Sequence, residues 1–212
     1  MQRPVFANDY FYHVFNRGVD KRNIFFENKD YRRFLFGMKE FNDENSTINI
    51  LRRINRFSEG INEGHPMSLS PTEKDPLVEI VCYCLMPNHF HFILKQIKDN
   101  GISRFLQKLG IGYTKYFNQK NERSGVLFQG KFKAVLIDKD NYFNHLVRYI
   151  YLNPIDLVDP EWKENGLKDW RKIVTALKSY RWTDCNNYNQ YIEFIKDYRA
   201  ENFKPIAKLL IE

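Results

Sequence analysis

The chain has 212 residues, 43% of them hydrophobic and 16% aromatic, which suits one packed domain with room for an appendage and excludes global disorder. Its longest apolar run, Ile80 to Met86, falls far short of the ~20 residues of a membrane helix, and no apolar signal segment follows Met1-Gln2-Arg3-Pro4, so no membrane role is expected. The 33 Lys+Arg exceed the 26 Asp+Glu, for a formal charge of +7, and three cysteines are too few and odd in number for a disulfide scaffold, which points to the cytoplasm.

Residues 10–17, Tyr-Phe-Tyr-His-Val-Phe-Asn-Arg, are aromatic and β-branched and predict a first strand ending at Gly18. From Asn28 a helical rhythm follows, with Tyr31, Phe34, Leu35, Met38 and Phe41 at steps of three and four. Residues 43–76 break it with three prolines and several Gly and Ser, and read as an insertion. Its Arg52, Arg53 and Arg56 read as solvated. Residues 77–86 predict a buried strand, Pro87-Asn88 a turn, and 89–95 the second strand of a hairpin. Ile102, Phe105, Leu106, Leu109, Tyr113, Tyr116 and Phe117 mark a second helix, with a bend expected at Gly110 and Gly112. A strand at 133–137 precedes a third helix, capped by Asp138 or Asp140 and ended by Pro154. The order β-α-β-β-α-β-α predicts an α+β, ferredoxin-like split βαβ fold: an antiparallel sheet with helices on one face.

The charge is concentrated. Residues 104–133 hold seven Lys/Arg and one acid, whereas 155–212 hold ten bases and ten acids. A basic band interleaved with Tyr and Phe suits a phosphate backbone with stacked bases, although a solvated helix face gives the same pattern.

His89-Phe90-His91 is the sharpest local feature. Residues two apart on a strand share a face, so both imidazoles point one way while Phe90, Phe92 and Leu94 enter the core. Such a pair is half of a divalent-metal site. On the third helix, Tyr142, His145, Tyr149 and Asn153 share a face, with Tyr149 and Asn153 one turn apart. A phenol beside a carboxamide fits a tyrosine nucleophile next to a metal-bound phosphate; it also fits an ordinary amphipathic helix end. Cys82 and Cys84 also share a face, but the turn is expected to carry them away from the histidines, and they read as packed small hydrophobes.

Tyr83-Cys84-Leu85-Met86-Pro87-Asn88-His89-Phe90-His91 resembles the signature of the HUH single-tyrosine, IS200-like transposases, and more narrowly their REP-associated tyrosine transposase branch. Three further stretches resemble that branch in order: Tyr12 to Gly18, Tyr116-Phe117-Asn118 with Gly125 to Phe132, and Tyr149 to Pro154. The resemblance spans about 10–155. It places a catalytic domain at 1–155, with 43–76 inserted, and a C-terminal extension at 156–212 packed on the core.

The resemblance implies that His89, His91 and Asn153 are ligands of Mg²⁺ or Mn²⁺, and that Tyr149 is the nucleophile. Tyr113 and Tyr116 are then assigned to packing or stacking. Tyr151 points ~200° around the helix from Tyr149. The implied reaction is cleavage and rejoining of single-stranded DNA at a hairpin through a 5′-phosphotyrosine. Arg17, Arg123, Lys131 and Lys133 are candidate phosphate contacts, and Phe128 and Gln129 candidate base contacts, with core packing an equal alternative for Phe128. The alternatives are an inactive DNA or RNA hairpin binder and a metal phosphodiesterase that uses water. Monomer and homodimer both remain open.

Overall fold

The computed structural model describes residues 3–46, 74–185, 191–192 and 194–195. Most of the predicted insertion, with its three arginines, lies outside the described residues. The elements are β1 (Phe11–Arg17), α1 (Asn28–Phe41), β2 (Val78–Met86), β3 (His89–Gln96), α2 (Gly101–Lys120), β4 (Lys133–Ile137) and α3 (Asp140–Leu152). A 3₁₀ turn (Asn153–Leu157), α4 (Trp162–Asn165) and α5 (Trp170–Ser179) follow. The sheet order is β2-β3-β1-β4, with every pair antiparallel. This is the predicted α+β order. No helix among the described residues is long and apolar enough to cross a membrane.

Alternation along the strands builds two cores. Tyr12, Val14, Phe90, Phe92 and Leu94 pack under α1 and α2 with Phe34, Leu109 and Tyr113. Ile93, Cys82, Cys84, Met86 and Ile137 pack on the other face, under α3 and the chain beyond it, with Leu146, Ile150 and Trp162. The expectation of helices on one face is therefore corrected: α1 and α2 cover one face and α3 the other. The residues that set this are the second apolar stripe on β2. A bulge between Ile80 and Cys82 shifts the strand's parity, so Cys82, Cys84 and Met86 turn away from the side that receives Val78 and Leu85.

α2 is one unbroken helix, with no break at Gly110 or Gly112. Neither Asp138 nor Asp140 caps α3; Lys139 takes the N-cap position without a side-chain bond. α1 begins one residue before expected, because Glu27 and Asp30 form a capping box. Asp30 is fully buried and also joins α1 to α2, accepting from Tyr116 Oη at 2.9 Å and Lys120 Nζ at 2.6 Å. Its second oxygen accepts the backbone N–H of Phe26 and of Glu27.

The outer edge of β2 is covered by the C-terminal segment. The N–H of Leu85 donates to the Trp182 carbonyl at 2.9 Å, and that of Tyr83 to Asp184 Oδ1 at 2.8 Å. Trp182 stacks on Tyr31 with centroids 4.4 Å apart, so the cover is anchored to α1.

Asp30→Ala removes an acceptor from four donors and leaves Lys120 without its buried partner. We expect a loss of about 3 kcal/mol of stability. Urea unfolding measures it, and a loss under about 1 kcal/mol refutes the hub role assigned to Asp30.

Candidate active site

The site is laid out by strand register. Phe15 of β1 stands opposite His91 and Arg17 opposite His89. Lys133 of β4 stands opposite Phe15 on its other side. Directly opposed residues in an antiparallel pair share a face, so both histidines, Arg17 and Lys133 lie on the α3 side of the sheet. β3 thus turns His89 and His91 the same way, as its alternation predicts.

α3 crosses this face and brings Tyr149 to the histidines. The Tyr149 ring is 4% exposed and meets His91 edge-on, centroids 5.6 Å apart. The His89 and His91 rings are themselves 5.0 Å apart. One turn beyond Tyr149 the helix must end, because Pro154 has no N–H to continue the ladder. The Asn153 backbone N–H tightens onto the Ile150 carbonyl, which orphans the Tyr149 carbonyl. The Asn153 side chain fills that gap, donating from Nδ2 to Tyr149 O at 2.8 Å. Its Oδ1 is thereby aimed at His89 Nε2, 3.3 Å away.

His89 is held from its other side as well. Asn88 Nδ2 donates to the Lys21 carbonyl, leaving Asn88 Oδ1 2.6 Å from His89 Nδ1. Burial pushes the His89 pKa down to about 4, so the ring is neutral near pH 7 and has one N–H for two carboxamide oxygens. Only one of these two contacts can hold the ring proton at a time; with the proton on Nδ1, His89 Nε2 would turn a lone pair toward Asn153 Oδ1, an arrangement that a cation between them would satisfy. The Asn88 loop is itself fixed: Gly18 N–H donates to the Asn88 carbonyl, and a Cβ on Gly18 would come within 2.2 Å of the Arg22 carbonyl.

His13 completes the cluster and was not among the residues singled out from sequence. It is fully buried, with Nε2 2.9 Å from His91 Nδ1. Burial lowers its pKa to about 3 and that of His91 well below the ordinary value, so both rings are neutral. The period-two pattern His13, Phe15, Arg17 was the available signal; it needed the β1–β3 register to become legible.

Two further residues come from beyond α3. Lys163 of α4 holds Nζ 5.5 Å from the Tyr149 ring centroid and 2.8 Å from Asp156 Oδ2. The Trp162 indole N–H donates to the other Asp156 oxygen, and the Trp162 ring is fully buried.

The remaining predicted contacts divide. Arg17 Nε donates to Gln129 Oε1 at 2.6 Å, so these two exposed groups lie side by side next to His89. Arg123 instead clamps its own loop, donating to Asn118 Oδ1 and the Val126 carbonyl. Phe128 is 9% exposed and packs on Phe90, the core alternative, with its ring also lining a cavity. That cavity, about 830 Å³, lies between α2 and residues 125–132, where exposed Lys131 joins Arg3 and Lys115 on its walls.

The rival tyrosines are placed elsewhere. Tyr113 Oη donates to the Ile24 carbonyl and Tyr116 Oη to Asp30, both under the opposite face. Tyr151 packs on Tyr191, away from the histidines. The expectation for the cysteines needs a correction in its geometry: Cys84 lies directly opposite His91 on the same face. Both Cys82 and Cys84 are buried, and burial raises their thiols well above the usual range, so they pack as small hydrophobes. Among the described residues, no three His, Cys, Asp or Glu side chains gather as a metal site. A cation here would take the neutral Asn153 amide as its third protein donor.

The family model for IS200-like transposases matches residues 47–153, half of the chain. The chain belongs to the IS200-like transposase family. No curated protein is a significant match to this transposase. Among solved structures, a REP-associated tyrosine transposase bound to a REP hairpin is similar at 16% identity, over 86% of this chain and 81% of that one, with a TM-score of 0.50, a likeness of fold. A transposase-assigned protein of Deinococcus radiodurans R1 matches at 13% identity over 71% and 95% of the two chains, with a TM-score of 0.34. A tRNA(His) guanylyltransferase of Saccharomyces cerevisiae matches at 9% identity over 92% and 80%, with a TM-score of 0.39.

The neutral histidines make the transposase sensitive to acid. The unfolded chain takes up protons near the ordinary imidazole value of 6.5, whereas folded His89 resists until about 4 and His13 until about 3. The unfolded state binds more protons throughout that window, so stability is full above it and falls as pH drops through it. Thermal melts between pH 7.5 and 4.5 should show a falling Tm; a flat profile contradicts buried neutral imidazoles.

Proposed function

We propose that this transposase cleaves and rejoins single-stranded DNA beside hairpin repeats, with Tyr149 as the nucleophile and His89, His91 and Asn153 as holders of a divalent cation. The observation that carries this reading is the convergence of one phenol ring, two neutral imidazoles and a carboxamide oxygen aimed at a facing lone pair. Two nitrogens and one oxygen suit Mn²⁺, with Mg²⁺ the alternative. When bound, the cation supplies Lewis-acid polarisation of the scissile phosphate.

The chain's own residues do the rest. Asn88 keeps the His89 proton on Nδ1 and its Nε2 lone pair available. His13 would do the same for His91: with His13 Nε2 accepting from Nδ1–H, His91 Nε2 stays bare. Tyr149 Oη attacks the phosphorus. An Oη–P bond forms, the bond from phosphorus to the 3′-oxygen breaks, the phenolic proton passes to solvent and the leaving 3′-oxygen takes one up. The product is a 5′-phosphotyrosine and a free 3′-hydroxyl. A second strand's 3′-hydroxyl reverses the step without ATP, since the phosphodiester energy is kept in the tyrosine linkage. Arg17 and Lys133, on the same face as the histidines, carry flanking phosphates. The hairpin partner rests on the resemblance of the sequence and on the solved relative's own ligand.

The decisive experiment uses Mn²⁺ and 3′-labelled hairpin oligonucleotides with randomised single-stranded flanks. Label should migrate with denatured protein, and disappear in Tyr149→Phe. Binding without cleavage identifies an inactive hairpin binder instead, and cleavage that survives Tyr149→Phe identifies water or another tyrosine as nucleophile.

Two further outcomes follow from the same site. His13→Phe should weaken Mn²⁺ binding by about 10- to 100-fold, read by electron paramagnetic resonance of the free ion. Arg17→Ala and Lys133→Ala should each lower the salt slope of DNA binding by about 1; an unchanged slope removes that residue from the DNA path.

A further inference from the structure

Lys163 lies outside residues 47–153, the part matched by the family model, yet its ammonium stands over the proposed nucleophile. Its placement is built rather than incidental. Trp162 is fully buried and fixes the start of α4. The same Trp162 holds Asp156 by its indole N–H, and Asp156 holds Lys163 Nζ at 2.8 Å with its other oxygen. Lys163 and Asp156 are each 24% exposed, so the pair is reachable from solvent but not free in it. One of the three ammonium protons is spent on Asp156, which leaves two for another acceptor.

The electrostatics of the site give that acceptor a charge. Two imidazoles and an amide bring no negative charge to the cluster. A phosphodiester arrives with one negative charge and gains a second as the phenol oxygen adds to it. An ammonium over the phenol ring, 5.5 Å from its centroid, is placed to receive that added charge.

Resting on the Tyr149 reading above, we propose that Lys163 is a catalytic residue of this transposase: it leaves Asp156 for a non-bridging oxygen of the scissile phosphate and stabilises the phosphoryl group during attack by Tyr149. No proton is transferred in this exchange; Lys163 stays an ammonium and swaps one anionic partner for another. Asp156 remains satisfied through Trp162 and water. The C-terminal extension thereby completes the active site as well as packing on the fold.

The test measures two quantities on the full chain, with the same randomised hairpin oligonucleotides. One is the single-turnover rate of adduct formation in Mn²⁺. The other is DNA affinity against salt in EDTA, which does not depend on metal or chemistry. Lys163→Met should slow adduct formation by about 100-fold and reduce the salt slope by about 1, with Lys163→Arg recovering most of both. Asp156→Asn releases the ammonium from its carboxylate and should tighten binding in EDTA. A purely structural ion pair gives the opposite pattern: Asp156→Asn and Lys163→Met weaken binding together, in step with their thermal melts, and that result overturns the assignment. An adduct that forms equally fast with Lys163→Met overturns it too, while leaving Tyr149 as nucleophile. No adduct from the wild-type chain overturns the Tyr149 reading, and the role of Lys163 with it.

Discussion

A neutral imidazole has one proton, and His89 is placed between two carboxamide oxygens that each want it. The rest of the site depends on that shortage. Both amides are pinned from behind: Asn88 by the Lys21 carbonyl and Asn153 by the Tyr149 carbonyl, so neither can flip to relieve it. Protonation does not relieve it near pH 7 either, since burial lowers the pKa of the ring to about 4. A protein that needed only a stable core at this position would have no reason to keep two acceptors on one donor. This shared proton lies where the proposed cation ligands meet. The backbone supports it from two distant places: Gly18, whose missing Cβ lets the Arg22 carbonyl close in, and Pro154, which ends α3 and sends the Asn153 amide back to the helix.

The cluster is charge-neutral inside and cationic at its border. Buried His13 and His91 and half-buried His89 form a chain of uncharged rings, while Arg17, Lys133 and Lys163 stand around it. This division suits an anionic substrate. Cations at the border draw a phosphate backbone inward without competing with a metal for imidazole lone pairs. The neutral interior would leave the full charge of the proposed cation available to a phosphate. The basic band at 104–133 contributes less to this border than its charge count implies. Lys120 is spent on Asp30, Arg104 on Glu44, and Arg123 on its own loop.

Period-two and period-three-to-four patterns made most of the fold legible. The aromatic β1, the hairpin around Pro87-Asn88 and the stripe of α2 each answer to local chemistry, and each lies within two residues of its predicted place. The pairing of His89 with His91 on one face, and of Tyr149 with Asn153 one turn apart, was legible for the same reason, since each pair is defined by spacing along one element. Information that depends on pairing between elements was not. The bulge at Ile80/Cys82 decides which face receives the cysteines, and nothing in Ile80-Val81-Cys82 announces it. With that parity unknown, the second apolar face of the sheet stayed hidden, and with it the need for α3 to cover that face. His13 was passed over because a single histidine on a strand acquires meaning only from what lies across the register.

The C-terminal segment is the part whose role changes most between sequence and structure. Its balanced charges and scattered tryptophans read as an appendage, but the three tryptophans are not equivalent in space. Trp182 closes the edge of β2 and stacks on Tyr31, which ties the segment to α1 across the sheet edge. Trp162 is driven fully into the second core beside Ile150 and Leu146, and its indole N–H orients Asp156. A fully buried tryptophan fixes the backbone around it far more firmly than a surface ion pair does. Lys163 inherits that rigidity by being the next residue. The backbone under Lys163 is therefore set by the packing of its neighbour, while the bond to Asp156 only parks the ammonium at the end of its flexible stem. That order of causes lets the bond be exchanged for a phosphate oxygen without loosening the fold.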